Sequence, residues 1–214
     1  MYDNDLIAAK LRRWDKYLAK YRLPAWEEIP DIGLYMEQVV IVLKQYLDYL
    51  PPELKDEQFI TASTINNYVR TKVMPMPVKK KYYRSHLAYL IMICSLKQCL
   101  SIPTLQTMIP MGLTDEQVEE TYNSYALRHQ LACRYFSQQV RAAAAGILDH
   151  EPESELSTGD TGELITSTAI IGGFSRLLAE KLLLLEGKDL TNGGSIALSS
   201  RERRKDAPMN EEQN

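Results

Sequence analysis

Residues 61–84 read TASTINNYVRTKVMPMPVKKKYYR, and three local patterns follow one another in them. Thr61 to Arg70 carries a hydroxyl residue that can cap a helix N-terminus, so we predict a short helix there. Val73–Val78 contains two prolines, which fix an extended path. Lys79–Lys81 and the two tyrosines that follow favour one arm of a small β-hairpin. The predicted order is therefore helix, extended connection and basic hairpin.

The sequence on both sides of this stretch predicts further helices. Apolar residues recur at spacings of mostly three and four in residues 4–20, 34–50 and 84–99, which is typical of amphipathic helices. We expect Asp31 to cap the second of these helices. The proline-rich and polar residues 51–58 predict a loop after it.

A long helix is predicted to begin after Thr114, whose hydroxyl can cap it. Its apolar face repeats at alternating spacings of four and three, which is typical of the seam of a coiled coil or helical bundle. The seam residues are Val118, Tyr122, Tyr125, His129, Ala132, Phe136, Gln139 and Ala143. For the aromatic members, we expect core packing rather than a ligand pocket. An apolar helix is also predicted over residues 164–185.

The composition favours an ordinary globular protein. Of 214 residues, 45% are hydrophobic and 25% are charged. The longest apolar stretch, residues 87–94, is far shorter than the roughly 20 residues that cross a bilayer. The N-terminus lacks the pattern of a signal peptide, and the three cysteines fit neither a disulfide framework nor a Cys-x-x-Cys site. We therefore expect a cytoplasmic location and no association with membranes.

Positive charge is concentrated in one quarter of the chain. Residues 61–114 contain seven Lys or Arg residues and no Asp or Glu, whereas the formal net charge of the whole chain is −3. Such a segment creates a local positive field that attracts polyanions. A basic surface can also dock on the protein's own acidic remainder. Charge alone leaves both interpretations open.

The segment resembles the winged helix-turn-helix of the MerR family of transcription regulators. Residues 64–68, Thr-Ile-Asn-Asn-Tyr, correspond to the Thr-Ile-Arg-Tyr-Tyr of that family's recognition helix. Val73, Met74 and Pro77 fall where the family has Gly-Leu-Ile-x-Pro, with Lys72 at the glycine. Lys80-Lys81-Tyr82 corresponds to the Arg-Arg-Tyr of the wing. Residues 29–101 also resemble an uncharacterised bacterial family with a domain-of-unknown-function name that is usually described as MerR-like.

This resemblance implies a mainly α fold with a MerR-like winged helix-turn-helix and a small β wing, followed by a helical dimerisation or bundle region. The implied divisions are an N-terminal helix and connector (1–29), a DNA-binding domain (30–112), a helical dimerisation domain (113–190) and a disordered tail (191–214). MerR-type proteins pair through a long helix after the DNA-binding part. By analogy, we expect a homodimer through the helix of residues 114–148.

The function implied is a transcription regulator that binds double-stranded DNA. Asn side chains can contact adenine in the major groove, and Lys and Arg hold phosphates. The expected DNA-binding residues are Thr64, Asn66, Asn67, Tyr68, Arg70, Lys72, Lys79, Lys80, Lys81, Tyr82 and Arg84. For Asn66 and Asn67 the alternative is local bonding at the helix end, and for the lysines a solvated hairpin tip. Tyr82 is expected to be structural more than a contact.

Other classes of function are less well supported by the sequence. The three histidines have no partners at metal-ligand spacing, and no set of residues suggests catalysis. We therefore expect no enzyme activity, no metal site and no cofactor, and the sequence does not specify an effector. The alternative to a DNA-binding regulator is a protein-interaction module that kept the winged-helix fold and lost DNA recognition, consistent with Asn66 in place of the family's arginine.

Overall fold

A computed structural model describes residues 3–49, 60–152 and 154–183, and this part of the chain is mainly helical. It contains eight α-helices and one 3₁₀ turn, at Trp26–Glu28. The helices are α1 (Asn4–Leu18), α2 (Met36–Tyr46), α3 (Ala62–Arg70), α4 (Arg84–Leu96), α5 (Ile102–Met108), α6 (Asp115–Ala143), α7 (Ala145–Leu148) and α8 (Thr161–Leu183). The all-helical class predicted from the sequence is confirmed.

Helix α4 is the centre of the main core. Ten consecutive residues, His86 to Ser95, are buried, so neighbouring elements enclose this helix on every side. Helices α2 and α6 pack directly against it. Burial of a Leu or Ile side chain stabilises a fold by about 1.5–3 kcal/mol. Helix α4 is therefore the main apolar support of the elements around it.

The same core includes the connector between α1 and α2. Trp26 is buried with its ring 6.1 Å from that of Tyr122, and the Tyr122 hydroxyl donates to the carbonyl oxygen of Pro24 at 2.7 Å. Arg22 forms two 2.6 Å hydrogen bonds with the Glu28 carboxylate, and these bonds lower the pKa of Glu28 to about 2. The core thus runs across the expected boundaries after residues 29 and 112.

Helix α1 lies antiparallel to α6 and contacts part of the predicted seam. Trp14 packs edge-to-face on Phe136 with a centroid distance of 5.6 Å, and Arg141 donates two hydrogen bonds to Asp15. Farther along, the ring of Tyr21 lies 6.1 Å from that of His129. Part of the seam is therefore a contact within the chain, although Ala132, Phe136 and Gln139 are exposed, and the homodimer through residues 114–148 stays a prediction. The periodicity predicts a covered face but not what covers it.

The β wing that the resemblance implies is not formed by strands in the described residues. No β-strand occurs in the described residues, which contain two isolated antiparallel bridges, Val78 with Lys81 and Leu34 with Tyr82. Two backbone hydrogen bonds form each bridge, at 2.8–3.0 Å. Beyond the Val78–Lys81 turn, the predicted hairpin arm thus forms one further backbone pair, that of Tyr82 with Leu34.

Helix α2 is shorter than predicted at both ends. It begins at Met36 after the N-cap residue Tyr35, whose N–H donates to the Gln38 side chain at 2.9 Å. The prediction that Asp31 is the cap is wrong, because pairing with Tyr82 keeps Leu34 extended. Helix α3 matches its prediction, and of the two hydroxyl residues expected as its cap, Thr61 or Ser63, Thr61 is the one that caps it.

Two predicted segments, the loop of residues 51–58 and the disordered tail of residues 191–214, lie outside the described residues. No helix in the described part of the chain is both long and apolar enough to cross a lipid bilayer.

Candidate nucleic-acid interface

Helix α3 buries one face and presents an uncharged or basic face to solvent. Its N-terminus is closed by a capping box, in which Thr61 and Thr64 exchange hydrogen bonds of 3.0 and 3.1 Å between backbone N–H and side-chain oxygen. Thr64 therefore serves the helix end. Ile65 is fully buried in the core, whereas Asn66 and Arg70 are exposed. The helix thus holds two polar residues of the predicted set on its outer face.

The two asparagines of α3 have different surroundings. Asn67 is half-buried, and its side-chain oxygen accepts a 2.7 Å hydrogen bond from Arg70. The Asn66 side chain is exposed and makes no hydrogen bond within the described residues. Asn66 can therefore offer both its amide donor and its amide acceptor to another molecule. Asn67 instead fixes the Arg70 guanidinium.

Helix α3 ends on a lysine in a conformation that normally belongs to glycine. Lys72 has φ of 55°, and the N–H groups of Lys72 and Val73 donate to the carbonyls of Val69 and Tyr68. This is a Schellman motif, whose left-handed position favours glycine because a Cβ atom costs about 1 kcal/mol there. In addition, the Gln106 side chain of α5 donates to the Thr71 carbonyl. The helix end is thus fixed with an exposed cation on it.

The turn at Lys79 and Lys80, called the basic turn below, also places lysine at positive φ, at both of its positions. Val78 and Lys81 exchange backbone hydrogen bonds of 2.9 and 3.0 Å, so Lys79 and Lys80 form a two-residue hairpin loop. Both have positive φ, 49° and 64°. This is the pattern of a type I′ turn, for which Asn-Gly is the preferred sequence. Both lysines are exposed, and neither forms an ion pair within the described part of the chain.

Lys81 differs from its two neighbours because the protein holds its side chain. Its ammonium lies 5.4 Å from the centre of the Tyr35 ring, a cation–π contact. Its aliphatic part lies against Gly33, where a Cβ atom would come within 2.7 Å of the Lys81 side chain. The small residue at position 33 therefore makes room for Lys81, and Lys81 links the turn to the start of α2.

Three other predicted contact residues support the surface from within. Tyr68 and Tyr82 are 2% and 3% exposed, and burial raises the pKa of both hydroxyls. The Arg84 guanidinium donates to the Ile29 carbonyl at 2.8 Å and lies over the ring of Trp26. The exposed residues of α3 and of the turn thus belong to one acid-free segment of the sequence, whereas these three side chains are held by contacts inside the protein.

One residue that holds the turn was not predicted. The buried His86 accepts a 3.2 Å hydrogen bond from the Tyr83 N–H through Nδ1, and its Nε2 bonds to the Met76 carbonyl at 2.9 Å. It therefore joins the two chain segments that flank the lysines. Its position three residues after Tyr83, at the start of a helix, is the only signal in the sequence.

The comparisons with known proteins bear on this segment. Residues 24–125 match the model of a domain of unknown function, DUF1836. No curated protein and no solved structure matches the chain. The matched region includes α2 to α5, the basic turn and the start of α6, so every residue described in this section lies within it. Nothing in the match links DUF1836 to MerR-type regulators.

Proposed function

We propose that this protein binds duplex DNA through an exposed basic surface of the DUF1836 domain and acts as a MerR-like transcription regulator. The basic surface consists of Asn66, Arg70, Lys72, Lys79 and Lys80. The observation that carries the proposal is that three of these positions place lysine at positive φ. Glycine or asparagine would cost less there, so stability does not explain the lysines. Contact with a polyanion accounts for lysine at these positions.

The chemistry of the surface divides between phosphates and bases. Arg70, Lys72, Lys79 and Lys80 supply four positive charges that hold phosphates and fix the register of the protein on the duplex. Asn66 has the donor and acceptor that recognise adenine in the major groove. None of these four cations forms an ion pair with a carboxylate among the described residues, and Asp31 lies 4.0 Å from Arg84 instead. The field at the surface is therefore positive.

The salt dependence of binding tests the proposal. Four neutralised phosphates per chain predict that the logarithm of the binding constant falls with the logarithm of salt concentration at a slope of about −4. Arg70→Gln with Lys72→Gln should make this slope less steep by about 2 and weaken binding. The measurement is fluorescence anisotropy of a labelled duplex at several salt concentrations.

A matched control is available on α1, where Lys10 and Arg13 are exposed. Lys10→Gln with Arg13→Gln changes the net charge by the same amount outside the basic surface, and we expect it to leave the slope unchanged. Equal losses of affinity in the two double variants would mean that the net charge of the protein, and not this surface, governs binding. No binding of the unaltered protein at low salt would disprove the proposal.

We also propose that the protein binds DNA as a dimer, because one short helix covers too few bases and two half-sites supply the affinity. The face of α6 opposite α1 carries Leu127, Leu131 and Tyr135 at spacings of four, which are 59%, 51% and 64% exposed. A second copy would cover this stripe. It replaces the seam as the candidate contact within residues 114–148.

Leu131→Glu should therefore convert the dimer to a monomer and weaken binding to a palindromic duplex at least tenfold, because a carboxylate cannot be buried in an apolar contact at low cost. Sedimentation velocity gives the mass in solution. Ile41→Glu, at an exposed position of α2, is the control and should remain dimeric. A monomeric unaltered protein would contradict the dimer while leaving DNA binding open to its own test.

A further inference from the structure

A cavity of about 400 Å³ lies between α1, α6 and the segments that follow α2 and α4. Its walls are largely aromatic: Trp14, Tyr21, Tyr49, His129 and Phe136 all line it. This volume is within the range of small-molecule sites, which are mostly apolar with a few polar groups. The cavity therefore has the size and lining of a ligand site.

The aromatic walls are held in place by the protein itself. The Tyr21 hydroxyl donates to the Tyr46 carbonyl at 2.6 Å, and the Gln98 amide donates to the Tyr49 hydroxyl at 3.1 Å. The ring of Tyr49 lies 5.0 Å from that of Tyr21 and 5.4 Å from that of His129. Such contacts fix the ring orientations, so a ligand would not have to order them.

One feature of the cavity is costly unless something occupies it. Trp14 and Phe136 are 38% and 40% exposed, although they form an edge-to-face pair that a core would normally cover. His129 offers the cavity a polar group: its Nδ1 atom is closed off from solvent and from the cavity, so Nε2 is the ring nitrogen that a bound molecule can reach. Burial also lowers the pKa of His129, which favours the neutral ring, and a neutral imidazole has one acceptor nitrogen.

The charge of the ligand follows from the lining. None of the described residues that line the cavity is Asp, Glu, Lys or Arg. An ion transferred into such a cavity loses its hydration without gaining a partner. An uncharged molecule that stacks on aromatic rings does not meet this cost.

We propose that this cavity is a binding site for an uncharged, planar aromatic molecule of about two fused rings that carries one hydroxyl or N–H group. The rings stack between the aromatic walls, and the hydroxyl or N–H donates to Nε2 of the His129 imidazole. This site shares no residue with the basic surface, so its test is independent of the test of DNA binding.

The test uses four probes of similar size: 1-naphthol, 1-methoxynaphthalene, 1-naphthoate and the benzyltrimethylammonium ion. The chain has two tryptophans, and Trp14 lines the cavity whereas Trp26 is buried in the core, so the two indole N–H signals in a ¹H–¹⁵N spectrum report the site and an internal control. We expect 1-naphthol to shift the Trp14 signal alone, with a Kd of about 0.1–1 mM, as small ligands of this size reach.

The methyl ether, which cannot donate, should bind about 3–10-fold more weakly than 1-naphthol. The two ions should not bind at 1 mM. His129→Leu should abolish the preference for the hydroxyl while leaving the ether's affinity nearly unchanged. Tighter binding of either ion than of 1-naphthol, or an unchanged preference in His129→Leu, would overturn the proposal.

A second variant fills the cavity. Ala132 lines it, so Ala132→Trp should weaken 1-naphthol binding at least tenfold. Asn123→Trp places the same side chain at an exposed position of α6 and should bind 1-naphthol normally. The Trp26 signal shows whether each variant is folded. If a folded Ala132→Trp protein binds as well as the unaltered one, or if the unaltered protein does not bind 1-naphthol at 1 mM, the cavity is not the site.

Discussion

Ile91→Ala is expected to lower the free energy of unfolding by about 3 kcal/mol, because it opens a cavity in the middle of α4 that neighbouring side chains cannot fill. Ile91 is fully buried, and so are the residues before and after it. In a chain of this size the loss corresponds to a fall in Tm of about 6–12 °C. Denaturant unfolding followed by circular dichroism measures it.

The same substitution on the surface is the control. Ile41 in α2 is 58% exposed, so Ile41→Ala removes the same atoms without leaving a cavity, and a change within about 0.5 kcal/mol is expected. Comparable losses at the two positions would show that α4 is not enclosed as described. Because His86 of the same helix holds the segments on both sides of the basic turn, Ile91→Ala should also weaken the proposed DNA binding close to its lowered Tm.

Helices were predictable where a local pattern alone determines them. Helix α3 begins at its Thr61 cap, and α6 begins after Thr114, because a cap and the residues it serves are three positions apart. The start of α2 was not predictable in this way. Leu34 pairs with Tyr82, which is 48 positions away, and no local signal reports that contact.

The residue types of the candidate interface were predictable, but the roles of several residues were not. Lysines and Asn66 are exposed, as expected from their charge and polarity. Tyr68 and Tyr82 were placed among the contacts by resemblance, whereas their position on the apolar side of α3 and of the bridge buries them. The positive φ angles of Lys72, Lys79 and Lys80 left no trace in the sequence, because the expected glycines are absent.

The seam of α6 shows the limit of periodicity most clearly. Its spacing marks a face that is buried at Val118 and Tyr122 but exposed at Ala132, Phe136 and Gln139, and a second chain and helix α1 satisfy the same pattern. The Arg141–Asp15 pair and the Trp14–Phe136 contact place α1 on part of this face, and each joins residues more than 120 positions apart. The cavity beside this contact was equally hidden, since its walls come from two helices, α1 and α6, and from the segments that contain Tyr21, Tyr49 and Gln98.

Replacement of the basic turn by its preferred sequence separates stability from function. In Lys79→Asn with Lys80→Gly, both residues favour the positive φ angles that the lysines adopt under strain. We expect the free energy of unfolding to rise by about 1–2 kcal/mol and Tm to rise by about 3–6 °C. Thermal unfolding followed by circular dichroism at low protein concentration measures the change.

The same variant should bind duplex DNA about 10–100-fold more weakly at 0.1 M salt, since each lost phosphate contact makes the salt slope less steep by about 0.9. A protein that becomes more stable and loses its ligand cannot have lost it by unfolding. Lys72→Gly is the parallel test at the end of α3, where it relieves the same strain but removes one charge. It should stabilise the protein by about 1 kcal/mol and make the slope less steep by about 0.9.

The combined result distinguishes the two functions that the sequence left open. If the basic surface serves DNA, the Asn-Gly turn raises Tm and weakens binding to duplexes of every sequence, because phosphate contacts carry no sequence information. If the DUF1836 domain is a protein-interaction module, the turn raises Tm with no effect on DNA and weakens capture of an acidic partner instead. A fall in Tm would contradict both, because it would mean that Lys79 and Lys80 make contacts that stabilise the fold and offset the cost of their backbone angles.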